Sequence, residues 1–73
     1  MQYTMNINEA IESMKNGNEV RSDKSSIGLS PRFTLTEEGE VCERYYDGDG
    51  YDFIWWSIDE FISRMSKAMF GIL

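Results

Sequence analysis

Apolar residues recur with helical spacing in two segments of the chain, one near each end. In the first segment they fall at i, i+3, i+4 and i+7, which predicts one buried helix face: Ile7, Ala10, Ile11 and Met14. Asn6 can cap this helix, and Glu9 stands three positions later, where its carboxylate can return the hydrogen bond. Gly17 can end the helix in a left-handed conformation.

The second helical segment carries the same start signal. Ser57 and Glu60 have the spacing of a capping box, and Trp56 and Phe61 have the spacing of a hydrophobic staple. The apolar positions that follow have helical spacing: Ile58, Phe61, Ile62, Met65 and Met69. Gly71 is predicted to end this helix and to leave a short apolar tail, IL. The apolar end of the chain, MFGIL, is compatible with a homodimer.

Between the helices, strand signals alternate with turn residues. The segments RFTLT, EVCERYY and YDFIWW predict three strands, and EVRS predicts a short fourth one before the loop-like SDKSS. Gly39 and the segment DGDG suit tight turns, and Pro31 is predicted to begin a strand or lie on a sheet edge. We therefore predict one α+β domain over residues 1–73, with an N-terminal helix, a three- or four-stranded antiparallel sheet, and a C-terminal helix packed on the sheet.

Strand alternation divides the aromatic residues between two faces. Tyr51, Phe53 and Trp55 point one way in the last strand, and Trp56 points the other way. Two helices in so small a domain cover one face well and the other poorly, which predicts accessible side chains among five candidates: Tyr45, Tyr46, Tyr51, Trp55 and Trp56. The alternative interpretation places both tryptophans and Phe53 in the core and leaves the tyrosines half-buried.

The negative charge is concentrated in the same stretch. The chain has a net charge of −6, and the segment from Glu37 to Glu60 holds nine acidic residues against one arginine. Such a field repels nucleic acid and attracts basic protein surfaces, although a solvated acidic face is the ordinary explanation. The predicted partner surface combines acids and tyrosines: Glu37, Glu38, Glu40, Glu43, Tyr45, Tyr46, Asp47, Asp49, Tyr51 and Asp52.

Catalytic and metal-binding motifs are not apparent in the sequence. The chain has no histidine, and Cys42, its only cysteine, has the ordinary role of a small buried thiol. The segment DGDGYD does not have the ligand spacing of a calcium loop. We expect no enzyme activity, no metal and no cofactor. A single cysteine, no export signal and no apolar run of about 20 residues predict a cytoplasmic protein that does not cross a membrane.

In size, charge and layout the chain resembles the small acidic accessory proteins of bacteriophages and mobile elements. Many of these are anti-CRISPR or other anti-defence proteins that occupy the nucleic-acid site of a host complex. Residues 6–22, NINEAIESMKNGNEVRS, are also similar to the opening of the phage nucleotide-sponge family that inhibits Thoeris defence. In that family a tryptophan commonly follows the basic residue and an Asp-Trp pair stands near the end. Here SDKSS follows Arg21, and WWSIDEF stands where the later motif would be.

Two functional hypotheses follow. The first is an inhibitor in an infected or element-carrying bacterial host, which binds a basic, nucleic-acid-binding protein or complex through the acidic, aromatic surface and binds no nucleic acid itself. The second is an oligomeric sponge for a nucleotide signal, in which Arg21, Lys24 or Arg32 binds phosphate and an aromatic ring stacks on the base. The resemblance to the sponge family implies that Arg21 contacts a ligand phosphate.

Overall fold

The computed structural model describes residues 2–24 and 29–73 and contains two helices and five strands in these ranges. The elements follow one another as α1 (Ile7–Lys15), β1 (Val20–Ser22), β2 (Leu29–Leu35), β3 (Val41–Tyr46), β4 (Tyr51–Trp56), α2 (Ile58–Met65) and β5 (Phe70–Ile72). The strands form one antiparallel sheet in the order β4-β3-β2-β1-β5. The α+β prediction is confirmed at this level, and the predicted number of strands is too low.

Both helices begin as their sequences predict. Asn6 accepts a hydrogen bond from the backbone N–H of Glu9 at 2.9 Å, and its own N–H donates to the Glu9 carboxylate at 3.0 Å. Ser57 and Glu60 form the same reciprocal pair at 3.1 and 3.2 Å. Gly17 has a φ of 88°, the left-handed conformation predicted after α1. Local capping chemistry therefore sets where each helix starts.

The C-terminal segment differs from its prediction. The helix ends at Met65, and Phe70–Ile72 forms β5, which pairs with β1 at one edge of the sheet. Phe70 is fully buried and its ring contacts the rings of Phe33 and Phe61 at centroid distances of 6.1 and 5.8 Å. The prediction of a helix end at Gly71 and a free apolar tail is wrong, because burial of the phenylalanine ring in the core outweighs the local helical pattern.

Pro31 also lies in an unexpected place. It is the third residue of β2, a strand with neighbours on both sides, whereas the sequence predicted a strand start or a sheet edge. The register between β2 and β3 shifts by one residue between Leu29 and Arg32, so Pro31 lies in a bulge. A bulged position does not need to donate a hydrogen bond to the ladder, which explains why a central strand tolerates this proline.

One core lies between the helices and a single face of the sheet. Residues of α1 and α2 form one buried cluster with Val20, Phe33 and Val41 of the sheet. The Phe33 and Phe61 rings pack at a centroid distance of 5.2 Å, which joins β2 to α2. Both helices therefore cover the same side of the sheet, and no helix formed by residues 2–24 or 29–73 covers the opposite side.

Candidate functional site

The side of the sheet that faces away from the helices carries the chemistry of interest. Strand registers place nine side chains on this side, which we call the open face: Arg21, Arg32, Thr34, Cys42, Arg44, Tyr46, Tyr51, Phe53 and Trp55. All nine are exposed or only partly buried. A sheet face of this kind normally needs a covering layer or a solvated polar surface, and this one is rich in aromatic rings.

Four aromatic side chains form an exposed patch on β3 and β4. We call this group the aromatic patch, and the exposed fractions are 38% for Tyr46, 63% for Tyr51, 46% for Phe53 and 56% for Trp55. The Phe53 and Trp55 rings stack with centroids 5.9 Å apart, and the two tyrosine rings meet edge to face at 5.6 Å. The contacts fix the rings relative to one another while leaving much of their surface open to a partner.

Three arginines lie beside the aromatic patch in one row across the sheet. Arg21 is directly opposite Arg32, and Arg32 is directly opposite Arg44, so we call this row the arginine ladder. Like charges at such positions repel one another. Glu19 partly compensates them through contacts of 3.5 Å to Arg32 and 3.7 Å to Arg44. The centre of the open face is therefore basic, although the chain as a whole is acidic.

The ladder is incompletely neutralised. Arg21 makes no ion pair with any residue in the described ranges, and the buried Nε of Arg44 has no hydrogen-bond partner there. The Arg44 guanidinium lies over the Tyr51 ring at 5.1 Å, which links the ladder to the aromatic patch. Donors and positive charge are therefore available for an anionic group at the centre of the face.

The predicted acidic residues do not form one surface. Glu37, Glu38 and Glu40 follow β2 at one end of the sheet, whereas Asp47 and Asp49 follow β3 at the other end. Six residues of β3 separate the two turns, a distance of about 20 Å. The contiguous acidic surface that the sequence suggested is therefore two acidic turns, one at each end of the open face.

Three other members of the predicted partner surface lie on the helix side of the sheet. Glu43 is fully buried, so its assignment to a partner surface is wrong. The Trp56 indole N–H donates to its carboxylate at 2.9 Å, because a buried carboxylate requires such donors. Tyr45 is half-buried opposite Asp52, and partial burial together with the Asp52 and Asp47 carboxylates raises the pKa of this phenol.

The three candidate phosphate-binding residues are also divided. Arg21 and Arg32 are neighbours in the arginine ladder, as a shared ligand would require. Lys24 lies elsewhere, in a surface cleft that it lines with Arg64 and Lys67 at the end of α2. The third cation within reach of a ligand on the arginine ladder is therefore Arg44 and not Lys24.

Sequence reasoning left five members of the open face out of the predicted site: Thr34, Cys42, Arg44, Phe53 and Trp55. A signal for Phe53 and Trp55 was present in the sequence, because these two residues alternate with Tyr51 along β4 and must share its face. The chain order did not show that Arg44 lies directly opposite Phe53. That pairing depends on the register of the β3–β4 hairpin, which joins the arginines to the aromatic rings.

Cys42 lies on the open face between Thr34 and Trp55, and it is half-buried. Burial and the Glu43 carboxylate raise the pKa of the thiol, against the opposing effect of Arg44. Since the thiolate is the nucleophilic form, we expect iodoacetamide to alkylate Cys42 more slowly in the native protein than in urea at the same pH. Equal rates in the two states would contradict this prediction.

Comparisons with known proteins identify no relative, so a function can be inferred only from the chemistry of the chain itself. No family model, curated protein or solved structure matches the chain. Within residues 2–24 and 29–73 there is no group of three or more potential metal ligands. In the same part of the chain, neither helix has the length and apolar character needed to cross a bilayer.

Proposed function

We propose that this protein is a non-enzymatic binding module that attaches to a protein partner through its open face. The observation that carries the proposal is the aromatic patch, in which four rings remain exposed on a sheet face without a covering helix. Tyrosine and tryptophan contribute large contact areas with few rotatable bonds, and they are frequent energetic centres of protein interfaces.

The charge distribution indicates the chemistry of that partner. The acidic turns at the two ends of the open face attract basic surface groups and steer the encounter, while the rings supply most of the affinity. The net charge of −6 opposes direct binding of nucleic acid. A nucleic-acid-binding protein whose basic groups lie opposite the two acidic turns, and not opposite the arginine ladder, therefore fits the module, and we propose a host defence complex of this kind as the inhibited partner.

Replacing Trp55 with alanine is expected to abolish capture of the partner from a bacterial host lysate. Its ring is more than half exposed, so the change removes contact area without opening the core. Tyr3→Ala is the matched control, because Tyr3 is an exposed aromatic residue outside the sheet. Quantitative mass spectrometry of the captured proteins should show one component that wild type and Tyr3→Ala retain and Trp55→Ala loses. Equal capture by all three proteins contradicts the proposal.

Charge reversal can show which acidic turn faces the partner. We expect the triple change of Asp47, Asp49 and Asp52 to lysine to slow association by roughly tenfold at low salt. Asp47 and Asp49 form the turn beside the tyrosines of the aromatic patch, and Asp52 lies at the same end of β4, on its helix side. The control is the triple change at Glu37, Glu38 and Glu40, which alters the net charge equally at the opposite end. Identical association rates for the two variants would show that association depends on the net charge of the protein and not on the position of the acidic turn.

The arginine ladder supports a second candidate function, the binding of a phosphate-bearing small molecule. Arg21 and the buried Nε of Arg44 offer donors that no described residue uses. The Tyr51 ring lies 5.1 Å from the Arg44 guanidinium and offers a surface on which a planar base can stack. Native mass spectrometry of gently purified protein tests this function. A retained nucleotide that Arg21→Ala loses would favour it over the protein interface, whereas a bare wild-type protein would exclude a tightly held ligand.

A further inference from the structure

The two edges of the sheet differ in how they are protected. At the β5 edge, Met5 and Phe70 exchange backbone hydrogen bonds of 2.9 and 2.7 Å, so the N-terminal segment covers the outer side of this short strand. At the other edge, β4 has six residues and pairs only with β3 among the described strands. An uncovered edge of this length is a template for a further strand.

Strand β4 carries few of the usual devices that prevent pairing, and its one charged side chain is that of Asp52. Its sequence, YDFIWW, contains neither lysine nor proline, and its register with β3 is continuous. The Phe53 N–H donates to the carboxylate of the adjacent Asp52 at 2.9 Å, so it is not used in the β3–β4 ladder. Because ladder positions alternate, Tyr51 and Trp55 turn their backbone groups outward as well.

We propose that a second copy of this chain pairs with β4 in antiparallel orientation, with Phe53 of one copy opposite Phe53 of the other. This register brings the outward backbone groups of both strands together. The hydrogen bond from the Phe53 N–H to the Asp52 carboxylate breaks, and this N–H donates instead to the Phe53 carbonyl of the facing strand. The two sheets become one continuous sheet, and the two open faces lie side by side.

The occupant is a second copy because this register makes β4 complementary to itself. Tyr51 lies opposite Trp55 and Asp52 lies opposite Ile54, so aromatic rings face aromatic rings and no charge faces a like charge. The two Asp52 carboxylates are offset by two residues along the strands, about 8 Å apart, where physiological salt screens them. A basic strand from another protein would pair with Asp52 alone, since it is the only charged side chain of β4.

The dimer should respond to salt in the opposite direction from partner binding. Each copy carries a charge of −6, so two copies repel until salt screens them, whereas the attraction of the acidic turns for a basic partner weakens with salt. We expect sedimentation equilibrium between about 10 µM and about 1 mM to show a dimer whose dissociation constant falls as NaCl rises. A wild-type protein that stays monomeric over this range overturns the proposal.

Charge substitution at Phe53 tests the register directly. Since Phe53 faces itself across the interface, Phe53→Lys alone and Phe53→Glu alone place like charges opposite each other and should each weaken the dimer at least tenfold. Mixing the two variants places opposite charges together and should restore a dimer, which native mass spectrometry identifies by its mixed mass. Variants that dimerise alone as well as wild type, or a mixture that stays monomeric, would exclude this register.

Amide hydrogen exchange tests whether the dimer forms through the edge of β4 or through another surface of the protein. In the dimer, the Tyr51 and Trp55 amides should exchange more slowly at high protein concentration than at low concentration, because the facing strand accepts their hydrogen bonds. A concentration-independent exchange rate for both amides would overturn the proposal even if a dimer forms. This result does not depend on the proposed function, which the Trp55→Ala capture experiment tests separately.

Discussion

Replacing Phe33 with alanine is expected to lower the free energy of unfolding by about 3–5 kcal/mol. Phe33 is fully buried, and its ring packs against the rings of Phe61 and Phe70 at centroid distances of 5.2 and 6.1 Å. These two neighbours come from α2 and β5, so the cavity would loosen three elements at once. Urea unfolding followed by circular dichroism measures the loss.

Phe53→Ala is the matched control for this measurement. It removes the same side chain from the same sheet, but from the open face, where Phe53 is 46% exposed. We expect a loss of about 1 kcal/mol, because nearly half of this residue's surface is already exposed and its removal opens no cavity in the core. If Phe33→Ala does not fold, Phe33→Leu should fold with a loss of about 1–1.5 kcal/mol. Similar losses for Phe33→Ala and Phe53→Ala would contradict the one-sided core.

Features that depend on neighbouring residues were predictable from the sequence. The capping pairs at Asn6 and Ser57 require only residues three positions apart, and both form. Strand alternation correctly separated Trp55 from Trp56, of which only the first is exposed. These features have short sequence separations, so local chemistry is enough to specify them.

Features that depend on distant parts of the chain were not predictable. Met65 and Met69 have helical spacing, which extended the predicted helix past Phe70 to Gly71. Phe70 instead pairs with β1 and packs against the rings of Phe33 and Phe61. The arginine ladder depends on the registers of two strand pairs, which sequence spacing does not supply. The candidate site was therefore only partly predictable, because its rings are adjacent in sequence and its cations are not.

Glu43 shows how composition misled the prediction of the site. It lies within the acidic stretch and appeared to be one more solvated carboxylate, but it alternates with Cys42 and Arg44 and therefore faces the helices. Its neighbours across the sheet are Phe33 and Ile54. Strand alternation alone would have placed Glu43 on the same face as Val41, and that face is the core.

Replacing Trp56 with phenylalanine is expected to lower the free energy of unfolding by about 1.5–3 kcal/mol. The indole N–H donates to the buried Glu43 carboxylate at 2.9 Å, and the phenyl ring has no donor to take its place. The smaller ring also loses part of the contact with the Arg64 guanidinium, which lies 5.0 Å from the indole centre. Urea unfolding of the two proteins at neutral pH measures the difference.

Trp55→Phe is the control, because it makes the same substitution at the preceding residue, whose side chain lies on the open face. We expect that variant to stay within about 0.5 kcal/mol of wild type. The charge of Glu43 can be tested by repeating Trp56→Phe in a Glu43→Gln background, where the amide oxygen still accepts from the indole. The loss should shrink to about 0.5–1.5 kcal/mol there, because a neutral acceptor forms a weaker hydrogen bond than a carboxylate. If Trp56→Phe costs the same in both backgrounds, the negative charge of Glu43 does not strengthen its hydrogen bond with the Trp56 indole.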